Sequence, residues 1–125
     1  MSTTITVYAP GGIAYLSLND RHHWRLRAQR VREWRRAGYI AALALGPQPP
    51  AVLSFVFEVP DKRRRDPMNA YATVKALVDG MATDAGCWAD DTPEFITTVE
   101  PVYRVVTGAR FRRRVDITIT PRGAA

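Results

Sequence analysis

The sequence predicts a single α/β domain with the element order β-α-β-α-β-β. Three observations carry this. Ala51 to Val59 (AVLSFVFEV) is an almost unbroken apolar run rich in β-branched and aromatic residues, as expected of a central strand. Two longer segments repeat apolar residues every three or four positions, which is helical spacing. Phe111 to Thr120 instead alternates, with Val115, Ile117 and Ile119 on one side, which is strand spacing. At 125 residues the chain has room for one core, so the domain is taken as residues 1–125.

The elements follow in order. Thr3 to Tyr8 alternates and reads as a strand, and Pro10, Gly11 and Gly12 end it. Ala14 to Leu18 reads as its resumption. Asn19 or Asp20 then suits a helix N-cap. From Arg21 to about Leu45 an apolar stripe runs through Trp24, Ala28, Val31, Trp34, Ala41 and Leu45. The opposite face carries Arg25, Arg27, Arg30, Arg32, Arg35 and Arg36, and Gly38 is a candidate bend. Gly46 to Pro50 is a loop. A second helix begins at Asp66, with the Asp as N-cap and Pro67 at its first position. It buries Tyr71, Val74, Leu77, Val78 and Met81 and ends near Gly86. Phe95 to Val106 gives one or two strands around Pro101 before the last strand.

Composition narrows the class. The hydrophobic fraction of 46% fits a folded globular domain rather than a disordered chain. No apolar run is long enough to span a bilayer, and no signal-peptide pattern opens the sequence. One cysteine, Cys87, forms no internal disulfide, in keeping with a reducing compartment. The expectation is an intracellular, cytoplasmic protein with no membrane partner. Of 18 cations only Lys62 and Lys75 are lysines, so 16 are arginines, and the formal net charge is +6. The planar arginine fork matches phosphate oxygens, so clustered arginine points to nucleic acid. GC-rich coding explains the Arg/Lys ratio equally well, but not the clustering.

The densest chemistry lies between Lys62 and Asp91. Lys62, Arg63, Arg64 and Arg65 are four consecutive cations, and Asp90 and Asp91 are adjacent acids. Singly, each acid has a structural explanation: Asp66 as an N-cap, Asp79 paired with Lys75 one turn away, Asp90 and Asp91 as turn formers. Together they form a like-charged group of the kind tolerated beside a cation, and Mg²⁺ suits a few carboxylates completed by water and phosphate. Asp66 and Asp91 would stand roughly 35 Å apart on a continuous helix. They meet only if the chain breaks at Asp84-Ala85-Gly86 and folds back, or if a second chain contributes.

In this stretch the sequence resembles the RusA-type Holliday junction resolvases, in the actinobacterial and phage-like subgroup. The matching text is PDKRRRDPMN, then Lys75, Asp79 and AGCWADD, with LNDRHHW upstream. The resemblance implies a RusA-like homodimer with a mixed sheet. It implies a Mg²⁺-dependent endodeoxyribonuclease, with Mn²⁺ as an alternative ion, that cuts four-way or branched DNA in recombination and repair. On the matching positions Asp66, Lys75 and Asp91 are the catalytic candidates, and Asp66, Asp79, Asp90 and Asp91 the metal candidates. Lys62, Arg63, Arg64, Arg65 and Asn69 are DNA contacts, joined by Arg21 and His23. One position departs: the second acid of the family motif is Met68, and a thioether does not replace a carboxylate on Mg²⁺. A branched-DNA binder of the same fold that does not cut is therefore the alternative. Cys87 reads as a packed thiol, and Trp88 as either core or a stacking platform. Arg110, Arg112, Arg113 and Arg114 read equally as a solvated face or a second phosphate track.

Overall fold

A computed structural model describes residues 2–16, 24–108 and 113–122. Two helices lie on one face of a five-stranded mixed sheet, an α+β arrangement in the expected order. The elements are β1 (Thr3–Tyr8), α1 (Trp24–Ala42), β2 (Ala51–Val59), α2 (Tyr71–Asp79), β3 (Ile96–Thr98), β4 (Val102–Val105) and β5 (Arg114–Pro121). β5 lies between β1 and β2 and is antiparallel to both, while β3 and β4 follow one another along the far side of β2, parallel to it. The break between β3 and β4 falls at Glu100 and Pro101, where proline has no N–H to give the ladder.

The core explains the central run. Alternate β2 residues Leu53, Phe55 and Phe57 and β5 residues Val115, Ile117 and Ile119 face the helices and are buried with Trp34, Leu77 and Met81. The two helices cross closely because both crossing points are glycine. A Cβ on Gly38 would lie 2.5 Å from the Leu77 carbonyl oxygen, and one on Gly80 would lie 2.0 Å from that of Arg35. Gly38 therefore serves contact rather than bending, and α1 runs unbroken through it. Arg35 adds a two-point ion pair to Asp84, at 2.6 and 2.8 Å, which holds that carboxyl below the usual range.

Two expectations are corrected. Trp24 is 68% exposed, because the buried stripe of α1 runs through Trp34, Gly38 and Ala42 further along. Ala14 to Leu16 is not a strand but an extended strap over the helices, and Ser17 and Leu18 lie outside the described residues. The Trp34 indole donates to the Ala14 carbonyl (3.0 Å), and the buried Thr73 hydroxyl bonds both the N–H and the carbonyl of Leu16, at 2.8 and 3.1 Å.

The other sheet face carries polar residues that satisfy one another. Thr4 bonds Thr118, and Thr6 donates to Asp116, both at 3.0 Å. Arg104 and Arg114 close on Asp116, and Arg104 also reaches Glu58. Burial alone would raise the Asp116 pKa, but hydrogen bonds from Arg114, Arg104 and Thr6 outweigh it and bring it to about 2. None of the described helices is long and apolar enough to cross a membrane.

Candidate functional site

The site candidates lie along α2 and its flanks. Ahead of the helix, Asp66 is in the extended conformation and its Oδ1 accepts the Met68 N–H (2.9 Å), as the N-cap reading requires. Pro67 opens a 3₁₀ turn (Pro67–Ala70) that leads into α2. Beyond α2 a wider π-type turn (Gly80–Asp84) closes with the Ala85 N–H on the Gly80 carbonyl. Gly86 takes φ +76°, the Cys87 N–H caps the Met81 carbonyl, and the chain reverses. The returning strand of chain is anchored by Trp88, which is buried and donates its indole N–H to the Pro49 carbonyl (2.9 Å). Trp88 is thus core rather than a stacking surface. Cys87 is a packed thiol whose pKa burial pushes up.

The reversal brings Asp91 back to the middle of α2. The Lys75 ammonium is hydrogen-bonded to Asp91 and to Asp79 Oδ1, the latter at 3.0 Å. The hydrogen bond that Lys75 donates to Asp91, then the one it donates to Asp79, raises the lysine pKa, and Lys75 in turn lowers that of Asp91. Two acids and the lysine of the sequence block therefore meet, through the chain break at Asp84 to Gly86 that their meeting requires. Asp90 is not among the partners of Lys75, although its side chain is one of the groups that help lower the Asp91 pKa. Its Oδ1 accepts the Asp91 N–H (2.7 Å), a local turn bond.

Asp66 stands apart. It borders a cavity of about 410 Å³ with Arg63, Arg64, Arg65, Asn69, Tyr15, Tyr103 and Arg113, whereas Asp91 and Lys75 border a different cavity with Tyr71 and Val78. Within one chain Asp66, which caps the turn ahead of α2, therefore borders a different cavity from Asp91, and a contribution from a second chain is the remaining route by which the two would meet. Among the described residues no three His, Cys, Asp or Glu side chains converge on a point. The oxygen donors that do converge, Asp79 and Asp91, form a set suited to Mg²⁺, which needs only one or two carboxylates beside water and phosphate. Met68 is exposed, and only its backbone N–H bonds Asp66.

The basic run divides in two. Lys62, Arg63 and Arg64 are exposed, and their side chains make no ion pair among the described residues. Arg65 instead turns back on the loop, where its guanidinium bonds the Asp61 carboxylate (2.9 Å) and the carbonyls of Asp61 and Arg63, at 2.9 and 3.0 Å. It still borders the same cavity as Arg63 and Arg64. Arg21 and His23, with Arg110 and Arg112, lie outside the described residues. Sequence reasoning missed Tyr103, whose hydroxyl donates to the Asp66 carbonyl (3.3 Å) from a strand far along the chain. It also missed Asp61, although its spacing of four from Arg65 was visible. No family model and no curated protein matches the chain.

Proposed function

We propose that the chain is a Mg²⁺-dependent endodeoxyribonuclease acting on branched DNA. The supporting observation is that one helix and its flanks carry an arginine-lined cavity at one end and two converging carboxylates with a lysine further along. Asn69 to Asp79 spans about 15 Å of helix, roughly four nucleotide steps along a strand. Arg63 and Arg64 hold backbone phosphates on either side of the break, and Asn69 donates from the same cavity. Asp79 and Asp91 would hold the ion. Bound Mg²⁺ supplies an acidified water and offsets charge on the phosphate under attack. Lys75 offers donors to the same developing charge, and its bonds to Asp79 and Asp91 hold the two carboxylates together.

A second reading is favoured by two observations: Lys75 already pairs with both Asp79 and Asp91, offsetting one of their two charges, and the exposed Met68 stands where the resembled family has an acid. On that reading the protein binds branched DNA without cutting it. Both readings predict preference for junctions. In a gel-shift competition with Ca²⁺ in place of Mg²⁺, a four-way junction should displace labelled junction at lower concentration than linear duplex does. Binding should fall steeply with salt, as phosphate contacts require. Equal competition by duplex and junction would remove the branched-DNA reading.

A two-fold dimer suits a four-way junction, and the surface we assign to it is the outer edge of β1. β1 has no charge or proline, the usual guards of an exposed edge. It borders a groove of about 620 Å³ with the exposed Ile40 and the partly buried Ala37 and Ile13, flanked by Glu33 and Arg36. Those two charges make no ion pair among the described residues, and a two-fold axis would set each against the other's copy. Sedimentation velocity should find a dimer in the wild type and a monomer in Ile40→Asp. A wild-type monomer at about 100 μM, a concentration that populates even a micromolar dimer, would refute this.

A further inference from the structure

Asp61 is an acid at the head of a run of four cations, where by charge alone it can only repel phosphate. Its oxygen does two other things. Asp61 Oδ1 accepts the backbone N–H of Arg63 (3.0 Å) and the guanidinium of Arg65 (2.9 Å). The other guanidinium nitrogen of Arg65 bonds the carbonyls of Asp61 and Arg63. Four hydrogen bonds thus close a ring around residues 61–65. The Arg65 side chain that closes it is only 17% exposed, while Arg63 and Arg64 are exposed, and all three border the cavity with Asn69 and Tyr103. The Arg63 amide, then the Arg65 guanidinium, hold the Asp61 carboxyl below its usual range, so it stays charged in the ring.

We propose that Asp61 is a positioning residue for phosphate binding: with Arg65 it fixes the loop so that Arg63 and Arg64 are presented to the nucleic acid already ordered. This rests on the nucleic-acid reading of the cavity. The physical gain is pre-organisation. A flexible loop loses backbone and rotamer freedom on binding, and a loop closed beforehand does not. Asp61→Asn keeps the shape but loses the charged acceptor of the Arg65 guanidinium. Arg65→Lys keeps the charge but loses the fork that reaches three acceptors.

The sign of the effect separates this role from plain electrostatics. Removing an acid beside the arginines raises the net charge and, by Coulomb attraction alone, tightens binding to DNA. Positioning predicts the opposite: Asp61→Asn and Arg65→Lys should both weaken junction binding by about tenfold. A second arm needs no DNA. Limited trypsin digestion, read by mass spectrometry, should cut after Arg63 and Arg64 faster in both variants than in the wild type, with unchanged melting temperature. Asp61→Asn binding as tightly as wild type, or more so, would overturn the proposal, as would unchanged tryptic cleavage. If the wild type binds no DNA while the variants are cut faster, the loop ring stands and the nucleic-acid reading falls.

Discussion

Gly80→Ala should cost at least about 3 kcal/mol of stability, the upper end of what overpacking costs. The added Cβ would sit 2.0 Å from the Arg35 carbonyl oxygen and 2.8 Å from the Tyr39 nitrogen. Both atoms are α1 backbone, so no side chain can rotate away, and the two helices must part. Parting them also strains the ion pair of Arg35 with Asp84 and the turn that returns Asp91 to Lys75. Against a typical total of about 5–15 kcal/mol, the variant should be marginal. Urea denaturation of Gly80→Ala beside Gly108→Ala checks the cause. Gly108 has open space around it and only a positive φ, of +87°, so its substitution should cost roughly 1–2 kcal/mol. Equal midpoints for the two variants would show that the helix crossing is looser than described.

Asp91→Asn should leave the fold and junction binding intact and reduce Mg²⁺-dependent cleavage by on the order of a hundredfold or more. Its ion pair with Lys75 is partly exposed on the surface, and such pairs contribute about 0–1 kcal/mol to stability. A lost metal ligand instead removes several kcal/mol of charge stabilisation, and each 1.4 kcal/mol is about tenfold in rate. The same substitution also frees Lys75 to pair with Asp79 alone. Asp66→Asn is the informative comparison. Asp66 caps the turn before α2 and borders the arginine cavity, away from Asp91. It should therefore lower cleavage less than Asp91→Asn does. Single-turnover rates on a labelled junction, with binding measured in Ca²⁺, separate the two effects.

What the sequence made legible was local. The run of Ala51 to Val59, the alternation through Val115, Ile117 and Ile119, and the cap at Asp66 each depend on neighbours a few residues away, and each is present. What stayed hidden depends on distant partners. Nothing near Gly38 or Gly80 signals that each must admit the other helix's backbone. The network of Glu58, Arg104, Arg114 and Asp116 joins three strands across one sheet face. Arg35 sat on the presumed solvent face of its helix, yet it grips Asp84 from the end of the other. Arg65 reads in sequence like its neighbours, and only the folded loop turns it inward. In the candidate site, the return of Asp91 could be stated as a condition on Gly86, because a glycine there permits the left-handed turn. The separation of Asp66 could not, since a residue that serves equally as cap or ligand gives no local sign of which it does.

The most direct test of the central claim is cleavage of a labelled synthetic four-way junction by the wild-type protein. Mg²⁺, Mn²⁺ and EDTA arms would run beside a linear duplex of the same sequence. The account predicts paired nicks near the branch point in Mg²⁺, none in EDTA, and little cutting of the duplex. A protein that binds the junction in Ca²⁺ yet leaves it intact in both Mg²⁺ and Mn²⁺ would contradict it, and would leave Asp79, Lys75 and Asp91 as an ion pair that only braces the fold.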